Sequence, residues 1–121
     1  MANTFKVFSH DILPASAGTP EALMTVQAST TTVVLGLILT NLHTAAVTVD
    51  VQLVSDTANR NGANNVANGT SLLVKGVTIP TGSSLEILTG SKVVLETTDI
   101  LKIDCSVADK VSGTLSVMEI T

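Results

Sequence analysis

Apolar residues recur along this chain in short runs with a period of two, cut every few positions by Gly, Pro, Ser, Thr, Asn or Asp. The clearest run is AVTVDVQLVS, in which Val47, Val49, Val51 and Leu53 point one way and Thr48, Asp50 and Gln52 the other. Strict alternation marks a strand with one face in the core, because successive side chains leave a pleated backbone on opposite sides. TVVLGLILTNL is apolar at nearly every position and predicts a central strand covered on both faces. Gly36 inside it predicts a bulge or a close backbone approach. From Ile79 to Ile103 the runs are broken at PTGSS, TGSK and TTD, which predict three turns. LKIDCSV then places Leu101, Ile103 and Cys105 on one face, and the closing TLSVMEI places Leu115 and Val117 together.

About eight or nine strands follow from this pattern, at the turn spacing of a sandwich or barrel. Sustained helical periodicity is absent; EALMTVQA would make about two turns at most. Sequential strands joined by short turns are expected to pair antiparallel. The chain therefore reads as all-β, an antiparallel two-sheet β-sandwich with jelly-roll-like or Ig-like topology.

Residues 1–19 read as an N-terminal arm or first strand with a linker, and residues 20–121 as a single β-sandwich domain. In NTFKVFSHDIL, Phe5 and Val7 fall on one side and Lys6 and Phe8 on the other, which suits a segment lying against something. PASAGTP, with two prolines, breaks the chain behind it. Phe5 and Phe8 are the sole aromatic residues, and Phe5, Val7 and Phe8 are the candidate protein-interaction residues. One phenylalanine is expected on its own sandwich and the other on a neighbouring subunit. The Asn- and Gly-rich stretch from Ser55 to Thr70 is long for a compact domain and predicts an exposed tip that points outward.

Composition narrows the function by exclusion. The chain has 121 residues, enough for one domain with a real core. It carries a net charge of −4, and its six basic residues are scattered. A nucleic-acid binder needs a cationic stripe, usually with aromatic stacking platforms, and neither is present. Carbohydrate recognition leans on exposed rings that two Phe, no Tyr and no Trp hardly supply. With one cysteine an intrachain disulfide is ruled out, and Cys105 reads as a small buried hydrophobe. MANTFKVFSHDIL lacks the continuous apolar stretch of a signal peptide, and the longest apolar run is about half a membrane span. The expectation is a protein made in a cytoplasm and kept off membranes.

Reactive constellations are as sparse. Ser9, His10 and Asp11 are the residue types of a catalytic triad, but adjacent strand residues alternate in direction, whereas a triad converges from separate elements. His43 in NLHTAA reads as a turn residue. Aligning Gly62 with the glycine of a calcium-binding EF-hand loop puts Asn59 and Asn61 at ligand positions. The first ligand would then be Thr57 and the last Asn68, where a carboxylate is required. Asn68–Thr70 matches a glycosylation acceptor without a secretory signal, and TGSSLEILTGSK lacks the spacing of a phosphate loop. Neither a cofactor nor a metal is expected, and nothing here argues for an enzyme.

The second half resembles a family of small all-β virion proteins of tailed bacteriophages, of the marine and cyanophage type. The matching pieces are TTTVVLGLILTN, AVTVDVQL, LLVKGVTIPTGSSLEIL, GSKVVLETTDILKI and GTLSVMEI, in order, from about Thr30 to Thr121. The resemblance implies a structural component present in many copies, with no catalytic residue to carry over. It implies a location on the virion, after assembly in the host cytoplasm. Its partners would be the major capsid protein or other virion structural proteins, and it would form a homo-oligomer such as a trimer. A capsid decoration or cement protein leads the readings. A neck, tail or fibre-base subunit comes second, and an adhesin-like binding module third. The N-terminal third and the Asn-rich loop depart from the family pattern.

Overall fold

A computed structural model of the chain describes residues 2–55, 69–88 and 92–121. The Asn-rich segment 56–68, with the positions weighed there for calcium and glycosylation, lies outside the described residues, as does most of the TGSK turn. Among the described residues there are nine strands and no helix. They are β1 (Asn3–Leu13), β2 (Glu21–Thr25), β3 (Thr31–Asn41), β4 (Val47–Ser55), β5 (Gly69–Ile79), β6 (Ser84–Ile87), β7 (Val93–Leu95), β8 (Ile100–Cys105) and β9 (Val111–Ile120).

Two antiparallel sheets pack face to face. Sheet A runs β1-β9-β3-β6, with β7 on β3 beside β6; sheet B runs β2-β8-β4-β5. Set β7 aside and the pairs are β1 with β9, β2 with β8, β3 with β6 and β4 with β5. This is one long hairpin whose tip is β4–β5, folded over so that its arms alternate between sheets. That is jelly-roll topology rather than the Ig arrangement.

The topology corrects the expectation that sequential strands pair. Among consecutive strands only β4 and β5 do so within the described residues. Short turns such as Pro80–Ser83 instead carry the chain from one sheet to the other. That turn is closed by the Ser83 amide donating to the Pro80 carbonyl at 3.1 Å, with Gly82 at φ +70°. A positive φ at its third residue is the type II geometry for which glycine is suited.

The inward faces meet in a core built as the alternation requires. Val47, Val49 and Val51 from β4 and Leu115 and Val117 from β9 are buried, together with Leu101, Ile103 and Cys105 from β8. Leu53, at the end of its run, is half-buried against them. Each fully buried Val, Leu or Ile contributes about 1.5–3 kcal/mol relative to an exposed one.

In β3 the inward residues are Thr32 and Val34, then Leu37, Leu39 and Asn41, so the spacing jumps from two to three. The cause is a bulge: Val34 faces Val117 and Gly36 faces Ser116, so β3 spends two residues where β9 spends one. Without it the second half of β3 would turn its apolar residues away from the core.

One expectation is corrected here. β3 is central in its sheet but covered on one face, because no element of the described chain lies over its outward residues, and Ile38 is exposed. Of the two readings of the N-terminal segment, arm or first strand, the segment forms a strand. β1 pairs with β9 from Asn3 to Leu13, and Leu13 is fully buried in the core.

Candidate interaction surface

The groups with chemical potential are kept apart. Asp11 accepts the amide of Ile12 at 2.9 Å, Ser9 faces outward, and the His10 ring Nε2 lies 2.8 Å from the Leu23 carbonyl, tying β1 to β2. The three do not converge. His43 sits half-buried after β3, its amide donating to Asn41 Oδ1 at 2.7 Å. Asn41 in turn donates from Nδ2 to the Ala45 and Ile79 carbonyls, so this polar cluster closes a turn. Cys105 is buried beneath sheet B. Among the described residues no group of three or more His, Cys, Asp or Glu is placed to hold a metal ion.

Sheet B turns a polar, charged face outward. Asp50 and Asp104 stand opposite each other on β4 and β8, and Lys102 stands opposite Gln52. Like charges side by side repel. Asp50 is compensated by Lys75 Nζ at 3.7 Å and by the Gly76 amide at 2.6 Å, while Asp104 accepts the Cys105 amide at 2.8 Å. A 170 Å³ hollow lies beside them.

Sheet A is the opposite case. On an antiparallel sheet, residues directly opposite share a face, so the register identifies whole rows. Phe5 faces Met118, Met118 faces Val33, and Val33 faces Val94, which makes one apolar row across β1, β9, β3 and β7. Inward neighbours fix its direction: Lys6 faces Val117 and Phe8 faces Leu115, so the Phe5 row points away from the core. Phe5 is 72% exposed, Val7 62% and Val94 59%. Flanking the row, Asn3, Ile120 and Thr31 stand on one side and Val7, Ser116 and Gly36 on the other. Across β1, β9 and β3 these three rows carry no ionisable side chain; at β7 the exposed Lys92 and Glu96 follow on either side of Val94. The next row, Ser9, Thr114, Ile38 and Glu86, brings in a single carboxylate.

A dent breaks this otherwise flat surface at the bulge. Its volume is 280 Å³, and Gly36, Ile38, Glu86, Thr114 and Ser116 are among its walls. A Cβ built on Gly36 would meet no atom within 4 Å, so the glycine opens the surface rather than admitting a neighbouring strand.

Of the candidate residues Phe5, Val7 and Phe8, the first two therefore lie on the outer face. Phe8 is half-buried against the core, opposite Leu115. Beside it, the inward Lys6 places its Nζ 2.9 Å from Glu119 Oε1, a carboxylate that is almost wholly buried. Sequence reasoning missed Val33, Leu35, Met118, Ile120 and Val94 as surface residues. For Val33 and Leu35 the signal was the continuously apolar β3, which predicts cover on both faces; for Met118, Ile120 and Val94 it was the alternation of β9 and β7. Among the described residues the second cover is absent.

Comparison with known families, with curated proteins and with solved structures finds no match for this chain.

Proposed function

We propose that this protein is a structural component of a tailed-phage virion, a decoration or cement protein that binds and stabilises the head shell as a homo-oligomer. The apolar outer face of β1, β9 and β3 makes its protein–protein contacts. The observation that carries the reading is the uncharged outward row of Phe5, Met118, Val33 and Val94 across four strands, exposed at Phe5 and Val94 and half-buried at Met118 and Val33 between them. An exposed apolar patch of this kind marks an interaction site on a soluble domain. The opposite sheet is polar and charged, with Asp50 paired to Lys75. The virion enters through the resemblance over Thr30 to Thr121. A jelly roll is compatible with that role, being frequent in capsid proteins, but the fold alone does not assign it.

The experiment is reconstitution. Particles grown without the protein are incubated with it, and bound copies are counted by gel densitometry. Decoration predicts hundreds of copies per particle, lost when Phe5 and Val7 are both changed to Ser. About a dozen copies would instead place the protein on a neck or tail ring, in keeping with closed cyclic symmetry. Absence of binding to any particle would refute the virion reading.

A further inference from the structure

Accepting the outer face of sheet A as a protein–protein contact, we propose that its occupant is a second copy of this chain. The copy is docked sheet to sheet, so that Phe5 of each enters the dent at Gly36 of the other.

Three observations support this. The first is shape. The face carries a protruding aromatic side chain, Phe5 on the edge strand β1, and a hollow among the described residues, at the β3 bulge two strands away. The hollow measures 280 Å³, and a cavity of about 150 Å³ already accepts a benzene ring. A two-fold axis in the contact plane, passing beside Ser116 and Met118 of β9, exchanges the two features. Both ends of the contact are then satisfied by one operation, as an isologous interface requires.

The second is area. Four strands side by side, each strand taking about 4.8 Å of width, and up to 11 residues of about 3.3 Å rise give a face of roughly 650 Å². A specific interface needs about 600–1,000 Å² per partner, so this face, fully used, reaches the lower end of what a dimer needs.

The third is charge. At net −4 the chain repels itself unless the touching surfaces are neutral, and across β1, β9 and β3 the Phe5 row and its two neighbours carry no charge, with Lys92 and Glu96 of opposite sign at the β7 end. Asp11 lies toward one end of the face, and Glu86, a wall of the dent, is the one carboxylate the incoming ring would meet, with its electropositive edge. A strongly basic or acidic partner finds nothing on these rows to pair with, whereas a second copy finds the same neutral chemistry.

The test uses the whole purified chain in sedimentation-velocity ultracentrifugation from 1 to 300 µM. A monomer–dimer equilibrium is expected. Phe5→Ser, at an exposed position, and Gly36→Leu, whose side chain fills the dent, should each weaken it with the thermal transition kept near wild type. Hot-spot truncation lowers affinity roughly 30-fold per contact, so the two symmetric contacts lose about 1,000-fold together. A second measurement does not depend on affinity. Phe5→Cys and Gly36→Cys chains, mixed and mildly oxidised, should form a disulfide-linked heterodimer. In the Phe5→Cys/Gly36→Cys chain the two thiols are at least two strand spacings apart, about 9.6 Å, beyond the ~7 Å Cα limit for an internal bridge.

A protein that stays monomeric at 300 µM overturns the inference, as does a trimer, or a dimer indifferent to both substitutions and forming no cross-link. The outcomes are separable from those of the virion reading. Dimers that bind no particle refute only the virion. Monomers that decorate particles in full refute only the pairing.

Discussion

Val49→Asp tests the packing of sheet B most directly. Val49 is fully buried at the centre of β4, between Cys105 on β8 and Val77 on β5. Losing the buried valine removes about 1.5–3 kcal/mol of apolar transfer. The carboxyl that replaces it has no charged partner on the inward faces around it, so it will be held protonated. Burial raises a carboxyl pKa by up to about 3–5 units, and each unit corresponds to about 1.4 kcal/mol. At pH 7 the two contributions together come to about 5–8 kcal/mol. The domain as a whole is expected to have about 6–18 kcal/mol, from roughly 0.05–0.15 kcal/mol per residue.

The pH dependence separates this from simple cavity formation. The unfolded chain ionises Asp near pH 4, whereas the folded protein would keep it neutral to higher pH. The electrostatic part of the penalty is therefore absent below about pH 4. It grows by about 1.4 kcal/mol per pH unit above that and levels off once the folded pKa is passed. Val49→Ala lacks that slope and serves as the control, at about 2–3 kcal/mol. With no Trp or Tyr in the chain, urea unfolding is followed by far-UV circular dichroism between pH 4 and 8. A Val49→Asp protein with the midpoint of wild type, or with a loss of stability independent of pH, would refute the placement of Val49 in a closed core.

Lys6→Ala strands the buried Glu119 without its partner and should cost about 1–3 kcal/mol, discounted because the Lys6 side chain is 42% exposed. Lys6→Met with Glu119→Leu should recover most of that in the same urea titration, and a double variant no better than the single would show the pair to be unimportant. Deleting residues 2–13 removes Leu13 from the core and bares the β9 edge, so the product should aggregate or fail to melt cooperatively, as seen by calorimetry. A deletion product that melts like wild type would mean that β1 contributes nothing to the sandwich. Gly82→Val forces a β-branched residue to φ +70° in the turn after β5 and should lower stability by about 1–2 kcal/mol, whereas Gly82→Asn should lose less than half of that.

The pleat was legible in the chain because a period of two is a local property. Val47, Val49 and Val51, and likewise Leu115 and Val117, fell on the core face from alternation alone, and Gly36 announced its bulge. The turn at Pro80–Ser83 was equally local, since glycine at the third position fixes it. Partnership between strands was not legible. Alternation says which side of a strand is buried but not which strand lies beside it, and a short turn serves a hairpin and a sheet-to-sheet crossing equally well. The fold thus sent β8 to pair with β2 and β4, and β9 to lie between β1 and β3, across separations of roughly 50 residues or more. The same gap hid the contact surface. TVVLGLILTNL showed two apolar faces, but only the tertiary arrangement decided that one faces the core and the other, aligned with Phe5, Met118 and Val94 from three distant segments, faces outward. Composition set the surface chemistry residue by residue; the register between strands assembled it into one largely apolar face.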